Sequence, residues 1–382
     1  MTQAPIHSTH AIIDIAAFRQ NLDAVRSYVG DKVKILAVVK ANAYGHGVKR
    51  ITAEAVRYGI DFLGVARAPE AFELRMMGTT QRILVFEVVA HEHLQSCIDQ
   101  DLDLTLVSLE GAQRLNGLAE QLRKKTRVHV KIDTGMGRLG FASPEAASRI
   151  ESIAKLPWLE LTGVYSHFAT SEDPDQSFAN EQLTRFEAVL AELEHRRVEV
   201  PLRHMANSGA IMALPKSHFD MVRPGIMLYG YPPANGMTGR WPLAPVMSLV
   251  SKVALIKRVG ANTSVSYGRR YFTKTATTIA TIPIGYADGY SRLLTNRGEA
   301  LIRGKRFPVV GTVCMDQVMV NLGDNSDVTE GDVVTFIGCD GNETITAWDI
   351  AEKTWSIPYE VTCLITPRVA RVYDKGHHSG QA

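Results

Sequence analysis

The sequence predicts an α/β protein: an N-terminal (β/α)8 barrel of the TIM type followed by a mainly β C-terminal domain. Three observations predict it. Over the first 230 residues, short apolar β-branched runs alternate with helical stretches eight times. A Gly- and Pro-rich segment, Gly230–Pro245, then interrupts the pattern, and beyond it short strands are separated by glycine turns. The length of 382 residues exceeds the size at which a single core stops growing, so two domains are expected. The expected bounds are 11–240 and 241–382, with residues 1–10 able to join the second.

The buried strands are read at Val33–Val39, Phe62–Val65, Ile83–Phe86, Leu102–Val107, Arg127–Ile132, Leu161–Ser166, Leu202–Met205 and Met221–Leu228. The helices are read at Ala16–Tyr28, Val48–Tyr58, Pro69–Met77, His91–Gln100, Leu109–Lys124, Pro144–Lys155, Gln176–Arg197 and Ser208–Leu214. Ser143-Pro144-Glu145 reads as an N-cap, a proline in the first turn and an acidic first turn, and Gly30 follows the first helix. Right-handed crossovers place every helix outside, and eight units suit a closed barrel better than an open sheet. In the second domain strands are expected at Val246–Val259, Ala276–Ile284, Ala300–Ile302, Val309–Val320 and Val333–Ile337, with one helix at Ala347–Lys353.

Composition excludes several classes of function. Lys plus Arg exceeds Asp plus Glu by 42 − 40 = +2, without a block of like charge, which gives no footprint for nucleic acid or a membrane surface. No run approaches the length of a membrane span, and the first ten residues lack the pattern of a secretory signal. The four cysteines are widely spaced without CxxC pairing, which reads as a reducing cytoplasm.

In a barrel of this kind the active site lies at the C-terminal ends of the strands. Those ends carry Lys40, Lys131 with Arg138, His167, His204 with Asn207 and Ser208, and Arg223. Each is costly at the end of a buried strand unless it has a partner or ligand. The sharpest local pattern is AVVKANAYGHG, residues 37–47, in which an apolar strand delivers one amine, Lys40, ahead of small residues. A lysine in a low-dielectric pocket is disfavoured as ammonium, which leaves its amine available to attack an aldehyde.

Here the sequence resembles the alanine racemases, the barrel-type (fold-type III) family of pyridoxal-phosphate enzymes, over nearly its whole length. The resemblance implies that Lys40 carries pyridoxal 5'-phosphate as a Schiff base. In KIDTGMGRLG, Arg138 resembles the arginine that meets the substrate carboxylate, and Lys131 the lysine often found as a carbamate. YSHFA supplies His167, and HMANSGA supplies His204, Asn207 and Ser208. In VRPGIMLYG, Arg223 resembles the arginine facing the pyridine nitrogen, with Gly225 and Ile226 offering N–H groups to phosphate. Tyr44, Ser208 and Tyr359 resemble the other phosphate ligands, and a serine opening a helix suits an anion physically. In VSYG, Tyr267 resembles the second catalytic base; Tyr286, Met315 and Asp316 match the family's remaining substrate-site motifs. The family implies a head-to-tail homodimer in which Tyr267 enters the neighbouring barrel. It also implies alanine as substrate and D-alanine for bacterial cell-wall peptidoglycan as product.

Racemisation needs a proton removed from one face and returned to the other, which two flanking acid–base groups accomplish. Tyr267 needs nearby cations or hydrogen bonds to act as a base, for which His167 and Arg223 are candidates. An arginine at the pyridine nitrogen cannot take its proton, which disfavours decarboxylation and transamination. The motif GMGRLG, residues 135–140, matches a dinucleotide fingerprint, but its helix starts too late. His91-Glu92-His93 reads as a helix start, not a metal site, and His377-His378 as a tail. Rival readings are a broader racemase acting on serine or other amino acids, a metal-assisted aldolase, and a non-catalytic cofactor carrier. The β domain has no histidine before its tail to ligate a metal, and a carrier would lack both that domain and Tyr267.

Overall fold

The computed structural model describes residues 8–374 apart from 238, 240 and 325. Two compact units are present: one holds Arg19–Ala43 and Val48–Leu243, the other the described residues up to Phe18, Tyr44–Gly47, and those from Ala244 onward. His377 and His378 lie outside the described residues.

The first unit is a nearly closed parallel barrel. Its strands are Lys34–Val38, Phe62–Val65, Arg82–Val85, Asp103–Leu106, Thr126–Asp133, Leu159–Tyr165, Leu202–His204 and Met221–Val222. The first seven pair in parallel, each with the next, and Met221–Val222 returns to pair with Lys34 and Ile35. The remaining seam is bridged by the N–H groups of Asp220 and Arg223, which donate to the carbonyls of Arg203 and Ala206 at 3.0 Å each. The strands read as continuous apolar runs because both faces are covered. The helices turn one face inward. In Leu109–Gln121, for example, Ser108 Oγ caps the Gly111 N–H at 3.0 Å while Ala112, Leu115 and Ala119 are buried.

Some boundaries differ from expectation. The run Met221–Leu228 is a strand for two residues only; Pro224 has no N–H for the ladder, and Ile226–Tyr229 coils into a 3-10 turn. The helix expected to be capped by Ser143 instead begins at Ser143, whose hydroxyl donates to the Asp133 carbonyl at 3.1 Å.

The second unit is a largely antiparallel sheet in the order Leu255–Val259, Thr277–Ile282, Val318–Gly323, Lys305–Val310, Glu299–Ile302, Val333–Asp340, Met247–Lys252, His10–Asp14, Ala370–Asp374, with Glu343–Ile345 paired to Val333–Asp340. The run Val246–Val259 is two strands with different partners, bent at Val253-Ala254. The run Val309–Val320 is broken at Gly311, whose φ of +78° leaves the β region, so that residues 311–317 form a loop. A second helix, Pro358–Cys363, joins Ala347–Thr354 in this unit. No helix among the described residues is long and apolar enough to cross a membrane.

Candidate active site

The first barrel strand ends at Val38, and Lys40 opens an unusual turn. Ala41, Asn42, Ala43 and Tyr44 have φ of +52° to +55°, four left-handed L-residues in succession. Three bonds fix the barrel part of it. Glu70 accepts the Ala41 N–H at 2.7 Å, Asn42 Oδ1 accepts the Val48 N–H at 2.8 Å, and the Ala43 N–H reaches the Val39 carbonyl at 2.9 Å. Glu70 also accepts the N–H groups of Ala66 and Arg67, so one carboxylate ties two strand ends together. No sequence signal singled out Glu70.

Arg223 is 4% exposed, and both terminal nitrogens of its guanidinium are hydrogen-bonded. Nη1 donates to His204 Nδ1 at 3.0 Å; Nη2 donates to the carbonyls of Ser166 (2.7 Å) and Met205 (3.0 Å) and to His167 Nδ1 (3.2 Å). Burial lowers its pKa to about 10, and at neutral pH it remains a cation. His167 is pushed well below the usual histidine value by burial and by Arg223, Lys131, Arg138 and Lys40. It is therefore neutral, and with Nδ1 accepting from Arg223 it presents Nε2–H outward. That the four cations all act on one imidazole means the structure brings these predicted rim residues together. His204 is wholly buried, in register with Tyr165 and Lys131 on neighbouring strands.

Lys131 is 4% exposed; its Nζ donates to the Ile132 carbonyl at 3.0 Å and sits 5.4 Å from the Tyr165 ring centre. Burial, then the Arg223 charge, lower its pKa to about 7, with Arg138 acting in the same direction. Arg138 itself is exposed. The glycine loop leading to it turns its N–H groups onto its own strand: Asp133 accepts from Gly135 at 2.9 Å and Gly137 at 3.1 Å. The dinucleotide motif thus binds itself.

Ser208 Oγ accepts the N–H groups of Gly225 at 2.9 Å and Met227 at 3.4 Å, which brings the hydroxyl and the Gly225–Met227 backbone together into one polar cup. Asn207 is the N-cap of Ser208–Ala213, its Oδ1 accepting from Ala210 (3.0 Å) and Ser171 (2.8 Å), so its carbonyl oxygen serves the fold.

In the β unit, Tyr44 is buried with its ring centre 6.0 Å from that of Tyr359. Burial, then Tyr359 and Cys363, raise its pKa, which keeps the phenol protonated. Gly45 beside it has no room for a side chain, since a Cβ would stand 2.1 Å from the Thr362 carbonyl oxygen. Tyr267 is 72% exposed on a strained turn, between Ser266 (φ +66°) and Gly268 (φ +70°). Thr312 pins that turn, donating to the Tyr267 carbonyl at 2.7 Å and accepting from Ser266 Oγ at 2.6 Å through its own carbonyl. Tyr267, Cys314, Met315 and Asp316 line an open cavity of about 580 Å³. Tyr286 is stitched to the same loop, since the N–H groups of Tyr286 and Ala287 donate to the Cys314 and Met315 carbonyls at 3.0 Å. Asp316 pairs with Arg368 at 2.6 Å, and Arg368 also meets Asp288, so Asp316 anchors the loop.

Two further buried polar groups, Asp103 and His129, sit inside strands and were not singled out as site residues. Their signal was present: each interrupts an apolar run where it needs a partner.

Comparison with known proteins accounts for this assembly. A family model described as alanine racemase, N-terminal domain, matches residues 13–233, and one described as alanine racemase, C-terminal domain, matches 246–373. The chain belongs to the alanine racemase family. Alanine racemase 2 of Caldanaerobacter subterraneus is 44% identical over 96% of this chain and 95% of that protein. The solved alanine racemase of Clostridium difficile 630 superposes with a TM-score of 0.93 at 38% identity, covering 97% of each chain. A histidine racemase from Leuconostoc mesenteroides superposes at 0.87 with 29% identity, covering 97% of this chain and 99% of that one.

Alanine racemases are pyridoxal-phosphate-dependent isomerases, and the barrel residues fit that cofactor. Lys40 offers the amine, Ser208 with Gly225 and Ile226 the polar cup for a phosphate, and Arg223 a buried cation for a ring nitrogen. No group of three or more His, Cys, Asp or Glu able to hold a metal occurs among the described residues.

Proposed function

We infer that the chain interconverts L- and D-alanine with pyridoxal 5'-phosphate, using Lys40 and Tyr267 as its two acid–base groups. When bound, the cofactor delocalises the charge left at the substrate's Cα and so makes its hydrogen removable. Lys40 would carry the cofactor, Ser208, Gly225, Ile226, Tyr44 and Tyr359 would hold its phosphate, and Arg223 would face the ring nitrogen. Arg138 would meet the substrate carboxylate, with Met315 and Tyr286 forming the wall around the small side chain. The Lys40 amine would move a proton on one face of Cα and the Tyr267 phenol on the other. The neutral His167 would favour the deprotonated phenol by offering its Nε2–H, a hydrogen bond in place of the cation the sequence suggested.

The observation that carries this reading is Arg223: a buried cation bound to two imidazoles and two carbonyls, not to a carboxylate. A group that cannot accept the ring-nitrogen proton leaves a weak electron sink, which suits proton exchange.

Tyr267 stands exposed on its own unit beside Met315, with which it lines an open cavity. Such a surface supports a homodimer in which Tyr267 serves the partner's Lys40. A cytoplasmic site and supply of D-alanine for peptidoglycan follow from the family. A broader racemase is the second reading, favoured by the histidine racemase of the same fold. Incubating purified protein in D2O with a panel of amino acids, following α-deuterium and chirality, separates the two. Exchange confined to alanine supports the first; comparable rates on serine or histidine support the second; exchange on none refutes both.

A further inference from the structure

Below Arg223 a column of buried hydrogen bonds descends through the barrel interior. Arg223 Nη1 can only donate, so His204 Nδ1, 3.0 Å away, must accept. The His204 proton then resides on Nε2 and is donated to His129 Nδ1 at 2.9 Å. The His129 proton in turn resides on Nε2, facing Asp103 Oδ2 at 3.3 Å. Each ring has one nitrogen to give and one to receive, so the sequence of donors is consistent only if the column ends on an acceptor.

Asp103 is that acceptor. It is wholly buried in the fourth barrel strand, and Arg127 Nε donates to its Oδ1 at 2.8 Å while Arg82 pairs with Oδ2. Burial opposes its ionisation, but the His129 N–H and the two guanidinium groups override that and hold the carboxyl near 2. His129 and His204 are both 0% exposed. Burial lowers both pKa values, with Arg223 acting on each, Arg82 also on His129 and Lys131 also on His204, so both rings are neutral. The Tyr165 ring lies parallel to His204, 4.8 Å between centres and 5° between planes, fixing its orientation. The strand beside His129 is left bare: a Cβ on Gly163 would stand 2.6 Å from His129 Nδ1.

We propose that Asp103 is a positioning residue for the reaction: acting through His129, it selects the His204 tautomer that accepts from Arg223. Arg223 thereby stays aimed at the cofactor ring. The proposal rests on the reading that Arg223 faces the ring nitrogen. In the alternative, Asp103 merely pairs Arg82 with Arg127, and the imidazole protons are set from the Arg223 end alone.

The test is nitrogen-15 NMR of histidine-labelled protein, read without cofactor and again with it, so that the tautomers are scored independently of racemase activity. His129 and His204 are expected as neutral Nε2–H forms from pH 6 to 8. Asp103→Leu, which removes the acceptor, is expected to move His204 out of that form. It should also weaken pyridoxal-phosphate binding about tenfold, the lower end of what partners of a ligating histidine typically carry. His129→Leu should do the same, whereas His129→Gln, which still accepts from one neighbour and donates to the other, should restore affinity and tautomer. Wild-type His204 protonated on Nδ1, or charged, overturns the proposal even if no variant folds. A folded Asp103→Leu protein with unchanged tautomer and cofactor affinity overturns it equally.

Discussion

Removing carbon dioxide should make this protein's stability depend on pH in a way that a single side chain dictates. The Lys131 amine has a pKa of about 7 in the fold against 10.5 when free. The difference of about 3.5 units is worth about 5 kcal/mol at about 1.36 kcal/mol per unit. The folded value is the lower one, so between 10.5 and about 7 the unfolded chain binds the extra proton. In CO2-free buffer, stability should fall as pH drops through that window and level off below it. The same depression makes the amine a nucleophile at neutral pH. Its lone pair attacks the carbon of CO2, an N–C bond forms and a proton leaves, giving a carbamate anion. Arg223 and Arg138, which lower the lysine's pKa, would then attract what it has become. Denaturant titrations from pH 7 to 10, with and without 13C-bicarbonate, would measure both effects. The expected results are a bicarbonate-induced gain in stability, a protein-bound carbamate signal in 13C NMR, and loss of both in Lys131→Met. Stability curves that run parallel in wild type and Lys131→Met, with no bound 13C signal, would refute the reasoning.

Three other outcomes are expected. Tyr267→Phe should slow proton removal from L-alanine by ~10²- to 10⁴-fold while α-hydrogen exchange on D-alanine suffers far less; isotope exchange run in each direction measures this, and equal losses contradict the two-base assignment. Mixing inactive Lys40→Ala and Tyr267→Ala proteins should regain activity if sites are shared between chains; no recovery after subunit exchange verified by mass spectrometry counts against sharing. Glu70→Ala removes the acceptor of three backbone N–H groups around the Lys40 turn. It should cost on the order of 2–4 kcal/mol by chemical denaturation, since charge-assisted bonds are worth ~1.5–3 kcal/mol each and solvent partly replaces them. An unchanged midpoint would show that the turn holds without it.

The barrel was legible because its strands are buried on both faces and its helices on one, and both leave periodic signatures in the chain. The candidate site was read at strand ends, where Lys40, His167 and Arg223 break apolar runs just before a glycine or small-residue turn. What lay hidden was whatever depends on partners distant in sequence. Asp103 and His129 stood in plain view within two apolar runs, but only the folded barrel shows that they face each other. Glu70 looks like any acidic residue in a first helical turn until Ala41 is seen to need it. Asn207 carries a duty its motif did not show: the helix it precedes takes its side-chain carbonyl oxygen. The long runs at 221–228 and 309–320 were over-read as single strands because hydrophobicity persists across a proline or glycine that ends the ladder.

The left-handed turn after Lys40 is built from alanine and asparagine where glycine would be easier, and each L-residue there costs ~1–2 kcal/mol. Part of that cost is recoverable by Ala41→Gly or Ala43→Gly, offset by glycine's larger loss of backbone freedom on folding. Taking it would give the hinge more backbone freedom than the amine's aim tolerates, so heat-resistant variants selected at these positions should prove sluggish. The protein sits below its own stability ceiling at the point where a lysine has to be kept still.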